Sequence, residues 1–225
     1  MNTDKYKSIL KAESPLDYCF YFPLSDFLLK PLHCLGFTPN GITYLSIITS
    51  IISSYLLHKN KILYSIILLH ISYLFDSIDG KFARKYNMTS DFGMKLDIVS
   101  DNITYFILFI VLLRKINLNP KIIALIGIVY YFNIKWHGLN EAIECYNKHN
   151  HDNFYKVNYD KFKDDKSLLN KLFLFTYKSS YQFYKSSFPK FDKEKITKKL
   201  LFCRYFGPGS IPLFFSLIFL YSRTS

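Results

Sequence analysis

Apolar runs of near-membrane length, two of them carrying embedded carboxylates, constrain this chain more than any other feature. From Gly41 to Leu57 there is no charged residue, and a second run, Ile62–Phe75, leads directly into D-S-I-D-G-K-F-A-R. Further runs cover Met94–Leu113, the segment beginning near Pro120, and Tyr205–Ser222. About 20 apolar residues fill a bilayer, and backbone groups inside it must be bonded within the protein, which leaves helices or closed barrels. Runs of this length fit helices. The net charge of +12 matches basic loops between apolar spans. It also matches a soluble nucleic-acid-binding helical protein, but the uncharged runs argue against that reading, and no nucleic-acid partner is expected.

The expected fold class is therefore an all-α integral membrane protein: a bundle of five to six transmembrane helices with an N-terminal interfacial helix. Residues 1–40 form a juxtamembrane segment, in which P-L-S-D-F-L-L-K-P-L-H-C-L-G-F mixes apolar and charged positions and is interrupted by Pro23 and Pro31. The first stretch lacks the apolar core of a signal peptide, so the spans themselves are expected to direct insertion. Asn40, after Pro39, can cap the first span. The turn H-K-N-K at 58–61 leads to the second. Ser90 or Asp91 caps the third, and Pro120 opens the fourth as its first helical residue. Residues 137–204 form a basic, Tyr- and Asn-rich region in which Leu168–Tyr184 is either a marginal span or an interfacial helix. If it crosses, the Lys-rich residues after it fall on the side that the positive-inside tendency disfavours. His137, Cys145, His149 and His151 match no zinc spacing and read as a solvated loop. The four cysteines contain no C-x-x-C pair, so neither a zinc site nor a disulfide framework is expected. His70, alone on an apolar helix, reads as a hydrogen-bonding residue of the bundle.

The stretch Asp76–Asp101 concentrates the chemistry. Asp76, Asp79, Gly80 and Ala83 fall at helical spacings on one face, and Gly93, Asp97 and Asp101 on another. Two such faces brought together make an acidic cage with glycine at the points of approach. Crowded carboxylates repel unless a cation neutralises them, so the stretch reads as a divalent-metal site. Asp91 lies off the second face and is set apart as a cap.

These residues resemble the CDP-alcohol phosphatidyltransferase family, whose pattern D-x2-D-G-x2-A-R-x8-G-x3-D-x3-D is present here at every position. The pattern occupies 26 of 225 residues, so it speaks to chemistry more than to the acceptor. The resemblance makes residues 41–225 a transmembrane domain of that type. It implies that Asp76, Asp79, Asp97 and Asp101 hold two ions, Mg²⁺ or Mn²⁺, with Asp101 also the general base for the acceptor hydroxyl. It further implies that Gly80 and Ala83 leave room for the nucleotide, that Gly93 lets the acidic helices meet, and that Arg84 binds phosphate. The sequence P-N-G-I-T resembles the family's first span, which makes Asn40 and Thr43 candidates for contacting the donor; helix capping explains them equally well. The implied partners are a CDP-linked lipid donor, an alcohol acceptor, the bilayer and, as in relatives, a second copy in a homodimer.

The implied reaction is transfer of a substituted phosphate, foremost phosphatidyl from CDP-diacylglycerol, to an alcohol with release of CMP. S-D-F-G-x-x-L-D-x-x-x-D and the chain length resemble phosphatidylserine and phosphatidylinositol synthases. An aminoalcohol phosphotransferase, which moves phosphocholine or phosphoethanolamine to diacylglycerol, shares the pattern. A non-catalytic binder of divalent metal or nucleotide-lipid is the alternative of another class. Lys81, Arg84, Lys85 and Lys95 put the site on the cytosolic side, against Lys59, Lys61, Arg114 and Lys121 opposite.

Overall fold

The computed structural model describes residues 13–115, 119–147, 161–175 and 193–221. Among them there are helices and turns and no strand. A π-helical turn, Asp17–Tyr21, leads into α1 (Phe22–Cys34), followed by α2 (Pro39–His58), α3 (Ile62–Lys85), α4 (Asp91–Lys115), α5 (Pro120–Asn147), α6 (Lys193–Cys203) and α7 (Ile211–Tyr221). Five stretches among the described residues are long and apolar enough to cross a membrane: Pro39–His58, Ile62–Lys85, Asp91–Lys115, Pro120–Asn140 and Ile196–Tyr221. The protein is an integral, multi-pass membrane protein. The chain divides into two compact units, one of Leu16–Ile126 with Gly209–Ser225 and one of Met1–Pro15 with Gly127–Pro208.

In the first unit the helix ends are set by local chemistry. The left-handed residues Gly36, Asn60 and Asn87, at φ 77°, 62° and 54°, follow α1, α2 and α3. After each, a backbone N–H returns to a carbonyl of the last turn: Phe37 to Leu32, Lys61 to Leu56 and Met88 to Ala83. This is the Schellman arrangement, which satisfies carbonyls the helix leaves open and reverses the chain in few residues. At the other ends, Thr38 accepts from Gly41 N at 3.2 Å and Ser90 from Gly93 N at 3.0 Å. Thr38, rather than the expected Asn40, is thus the cap of α2. Pro39 has no N–H and fits the first helical position, so the cap falls on the residue before it. Ser90 caps α4, as the sequence allowed.

α2 and α3 run antiparallel along a seam of serines. Ser46 Oγ donates to Ser72 O at 3.0 Å and Ser72 Oγ to Ser46 O at 2.9 Å. Seven residues away, Ser53 Oγ donates to Ser65 O at 2.7 Å and Ser65 Oγ to Ser53 O at 2.8 Å. Small side chains let the backbones approach, and in lipid such contacts replace the hydrophobic drive that apolar solvent removes. Leu57, Ile62, Leu69, Leu108, Leu112, Ile218 and Phe219 form the core at one end. Leu29, Ile42, Ile78 and Phe82 form another, against α1.

α1 runs through Pro31 without a break, although the sequence suggested an interruption. Pro31 forgoes a single N–H bond to the preceding turn, and α1 is held by side contacts along α3. Lys81 Nζ reaches Asp26 Oδ1 at 3.0 Å, Ser25 Oγ meets Ser77 Oγ at 3.0 Å, and His33 stacks on Tyr86. Upstream, the buried Asp17 accepts from the Tyr73 hydroxyl at 2.7 Å and from Gly209 N at 3.0 Å. A Cβ at Gly209 would sit inside that carboxylate, so only glycine fits there. Burial, reinforced by Asp17, pushes the Tyr21 phenol above its ordinary value. Ser216 Oγ gives its own hydrogen to Pro212 O at 2.7 Å, so toward His70 it can only accept, and His70 Nδ1 accepts from the Tyr21 hydroxyl. That leaves Nε2–H to face Ser216 Oγ at 3.1 Å. His70 is the bundle hydrogen-bonder the sequence suggested.

In the second unit, Trp136, Leu139, Ile196, Leu200 and Cys203 form a small core, and Asn133 Nδ2 donates to Phe206 O at 2.9 Å. His137 sits edge-on to Trp136; His149, His151 and the side chain of Cys145 lie outside the described residues. Of the segment Leu168–Tyr184, residues 168–175 are helical and the remainder is outside the described residues. The last span differs from the expected Tyr205–Ser222. It is a composite of α6, the 3₁₀ turns Arg204–Phe206 and Pro208–Ser210, and α7. α7 alone, with 11 residues, is about 17 Å long, short of a ~30 Å hydrocarbon layer. Pro208 cannot continue the ladder, and so the crossing is split at G-P-G.

Candidate active site

The carboxylates come from the end of α3 and the start of α4, joined by the Asn87 turn and the Ser90 cap. Asp76, Asp97 and Asp101 each place a carboxylate oxygen within 4.8 Å of the others. Their side chains are half-buried, where unpaired negative charges are costly. Asp76 Oδ1 is buried and has no hydrogen-bond partner. An orphaned anionic oxygen beside two further carboxylates, in an all-oxygen donor set, fits a divalent cation of the hard type. These three residues could hold one.

Asp79 is placed differently. It is not one of the three converging residues, and its Oδ2 accepts from the Thr43 hydroxyl at 2.6 Å. Gly80 lies under the Arg84 side chain, whose Nη1 would be 3.2 Å from a Cβ at that position. The exposed Arg84 therefore folds back along its own helix, one turn away. Ala83 is half-buried, and its carbonyl closes the α3 turn by accepting from Met88 N. Asp91 is exposed at the start of α4, apart from the cluster.

Gly93 marks a close approach to a different helix from the one expected. A Cβ there would meet Asn40 Oδ1 at 2.9 Å and Ser90 Oγ at 3.1 Å. Its neighbour across the interface is thus α2, not α3. α3 and α4 make few close backbone approaches to one another, whereas both pack extensively on α2. The carboxylates, not the backbones, span the space between the acidic helices. The sequence made Asn40 and Thr43 candidates for contacting the donor or for capping, and did not disclose α2 as the shared wall of the cage. Asn40 and Thr43, three residues apart on one helical face, were the available signal.

The family model for CDP-alcohol phosphatidyltransferases matches residues 37–149, half of the chain. The chain belongs to this family. The match begins just before α2 and takes in the whole cage. The chain is similar to CDP-diacylglycerol–inositol 3-phosphatidyltransferase of Saccharomyces cerevisiae, with 38% identity over 69 residues, 31% of each chain. It is 45% identical over 65 residues to the Candida albicans protein of the same name, covering 29% of this chain and 28% of that one. It is also 39% identical over 64 residues to CDP-diacylglycerol–serine O-phosphatidyltransferase of Methanocaldococcus jannaschii, 28% of each. The aligned part thus spans less than a third of these curated relatives. No solved structure matches the chain.

Proposed function

We propose that this family member transfers the phosphatidyl group of CDP-diacylglycerol to a small polar alcohol, with inositol the foremost acceptor, and releases CMP. The observation that carries this reading is the convergence of Asp76, Asp97 and Asp101 around the orphaned Asp76 oxygen, within the region matched to the family. The relatives support this donor: each of the three named above is a CDP-diacylglycerol-dependent phosphatidyltransferase, two for inositol and one for serine.

In this reading Asp76, Asp79, Asp97 and Asp101 hold two divalent ions, Mg²⁺ or Mn²⁺, as four carboxylates suit two hard cations. Ions bound there would offset the diphosphate charge and stabilise the departing CMP. Asp101 takes the proton of the acceptor hydroxyl. The acceptor oxygen then forms a bond to the phosphatidyl phosphorus as the bond from that phosphorus to the CMP oxygen breaks. Placement of the hydroxyl against phosphorus has to contribute much of the rate. Arg84, exposed beside Gly80, offers a forked donor to phosphate oxygens. Gly80 and Ala83 keep that surface low for the nucleotide. No serine, cysteine or lysine nucleophile with a paired base is needed, because transfer is direct. Lys81, Arg84, Lys85 and Lys95 favour the cytosolic side for this end of the bundle.

The test is CMP release by purified protein in lipid, given CDP-diacylglycerol, Mg²⁺ and a panel containing inositol, serine and glycerol 3-phosphate. Release that depends on one of these alcohols is the expected result. Release only with CDP-choline or CDP-ethanolamine plus diacylglycerol would overturn the donor assignment. Tight metal binding with no release from any pair would make the protein a binder instead.

A further inference from the structure

We propose that the first turn of α2 is a positioning element of the cage, in which Thr43 fixes the orientation of Asp79 for metal binding and does not contact the donor. This rests on the metal-dependent reading above and concerns how the site is held in shape.

Thr43 and Asp79 are 3% and 4% exposed, so water does not replace either partner. The Thr43 hydroxyl has one hydrogen and two acceptors in reach, Pro39 O at 3.2 Å and Asp79 Oδ2 at 2.6 Å. A helical threonine ordinarily bonds back to the carbonyl four residues earlier. Here the shorter, charge-assisted bond to the carboxylate prevails. It stops rotation of the Asp79 carboxylate about its last torsion, a soft one when unbonded. Thr43 is itself β-branched and restricted about its first torsion, which makes it a stiff support.

Asn40 completes the element. It lies one turn earlier on the same face of α2, against Gly93 at the start of α4. One turn of helix thereby touches both acidic helices: Asn40 borders α4 through shape, and Thr43 holds α3 through a hydrogen bond. Because α3 and α4 pack on α2 rather than closely on each other, the distance between the halves of the cage is set through this turn. A donor contact by Thr43 would need its hydroxyl to be accessible, and its burial opposes that.

The experiment is Mn²⁺ binding to the purified protein without donor, followed as loss of the free-ion paramagnetic resonance signal, alongside CMP release. Thr43→Val keeps the shape and removes the donor hydrogen. It is expected to weaken Mn²⁺ binding by about 10-fold or more, the range seen when a partner of a metal ligand is removed. Thr43→Ser, which keeps the hydroxyl, is expected to restore binding to within about 2-fold of wild type. Thr43→Ala repeats the loss of the hydroxyl without valine's second methyl, so a folding defect confined to Thr43→Val leaves the comparison intact. Wild-type Mn²⁺ binding in both hydroxyl-free variants, or binding as poor in Thr43→Ser as in Thr43→Val, would overturn the proposal. A rise in donor KM with unchanged Mn²⁺ binding would overturn it in favour of a donor contact. Absence of Mn²⁺ binding by the wild-type protein would instead overturn the metal-dependent reading together with this one.

Discussion

α2 and α3 touch along two stretches of opposite character. Toward the turn that joins them, Ser46, Ser53, Ser65 and Ser72 exchange hydrogen bonds in reciprocal pairs. Toward the other end the contact is Thr43 on Asp79, beside the unpartnered oxygen of Asp76. The first stretch is saturated: small neutral groups, each oxygen used, nothing left to bind. The second is held open, with more acceptors than the protein supplies donors. The same pair of helices is therefore a closed joint at one end and a receptacle at the other. Buried acceptors left over in a membrane bundle mark where a ligand belongs.

The contrast can be broken experimentally, and the largest effect should come from the open end. Asp101→Asn keeps shape and volume and removes the base, so CMP release is expected to fall by at least about 10²-fold. Donor binding, measured separately, should largely survive. Undiminished turnover would remove Asp101 from that role. Asp76→Ala should lower Mg²⁺ affinity and donor binding together, visible as a shift of the Mg²⁺ activation curve to higher concentration; an unshifted curve would sever Asp76 from the metal. The closed end should respond least. Ser46→Ala with Ser72→Ala removes two neutral bonds whose carbonyl acceptors remain in helical ladders, at a cost of ~1 kcal/mol. Thermal unfolding should shift by a few degrees with CMP release per folded molecule unchanged. A loss of turnover there would mean that the seam tunes the cage as well as the joint.

Much of this was legible in the residues. Uncharged runs located the helices because lipid admits little else, and the spacing of Asp76, Asp97 and Asp101 placed them on faces able to converge. The charged, asparagine-containing H-K-N-K marked the turn at Asn60. What escaped were properties of pairs of helices. Gly93 was read as a meeting point of the acidic helices because it shares their motif, yet its missing Cβ makes room for Asn40. The serines at 46 and 53, and at 65 and 72, repeat at seven residues, a helix-packing period. Serine is common enough in apolar helices that the repeat drew no notice without a partner in view. Thr43 was offered as a cap or a donor contact. Its bond to Asp79 crosses 36 residues, a separation that spacing along one helix cannot disclose. The last span broke at G-P-G for a local reason, since Pro208 cannot continue the helical ladder.

The bond between Asp17 and the backbone of Gly209 also orders events in time. Its two ends are 192 residues apart, so during synthesis the carboxylate is made well before its second donor. Tyr73 can reach Asp17 once α3 exists; Gly209 arrives only after every helix of the acidic site has been made. Asp17 thus gains its second donor last, from a residue at the threshold of α7, and a nascent chain carries its cage before it carries the latch.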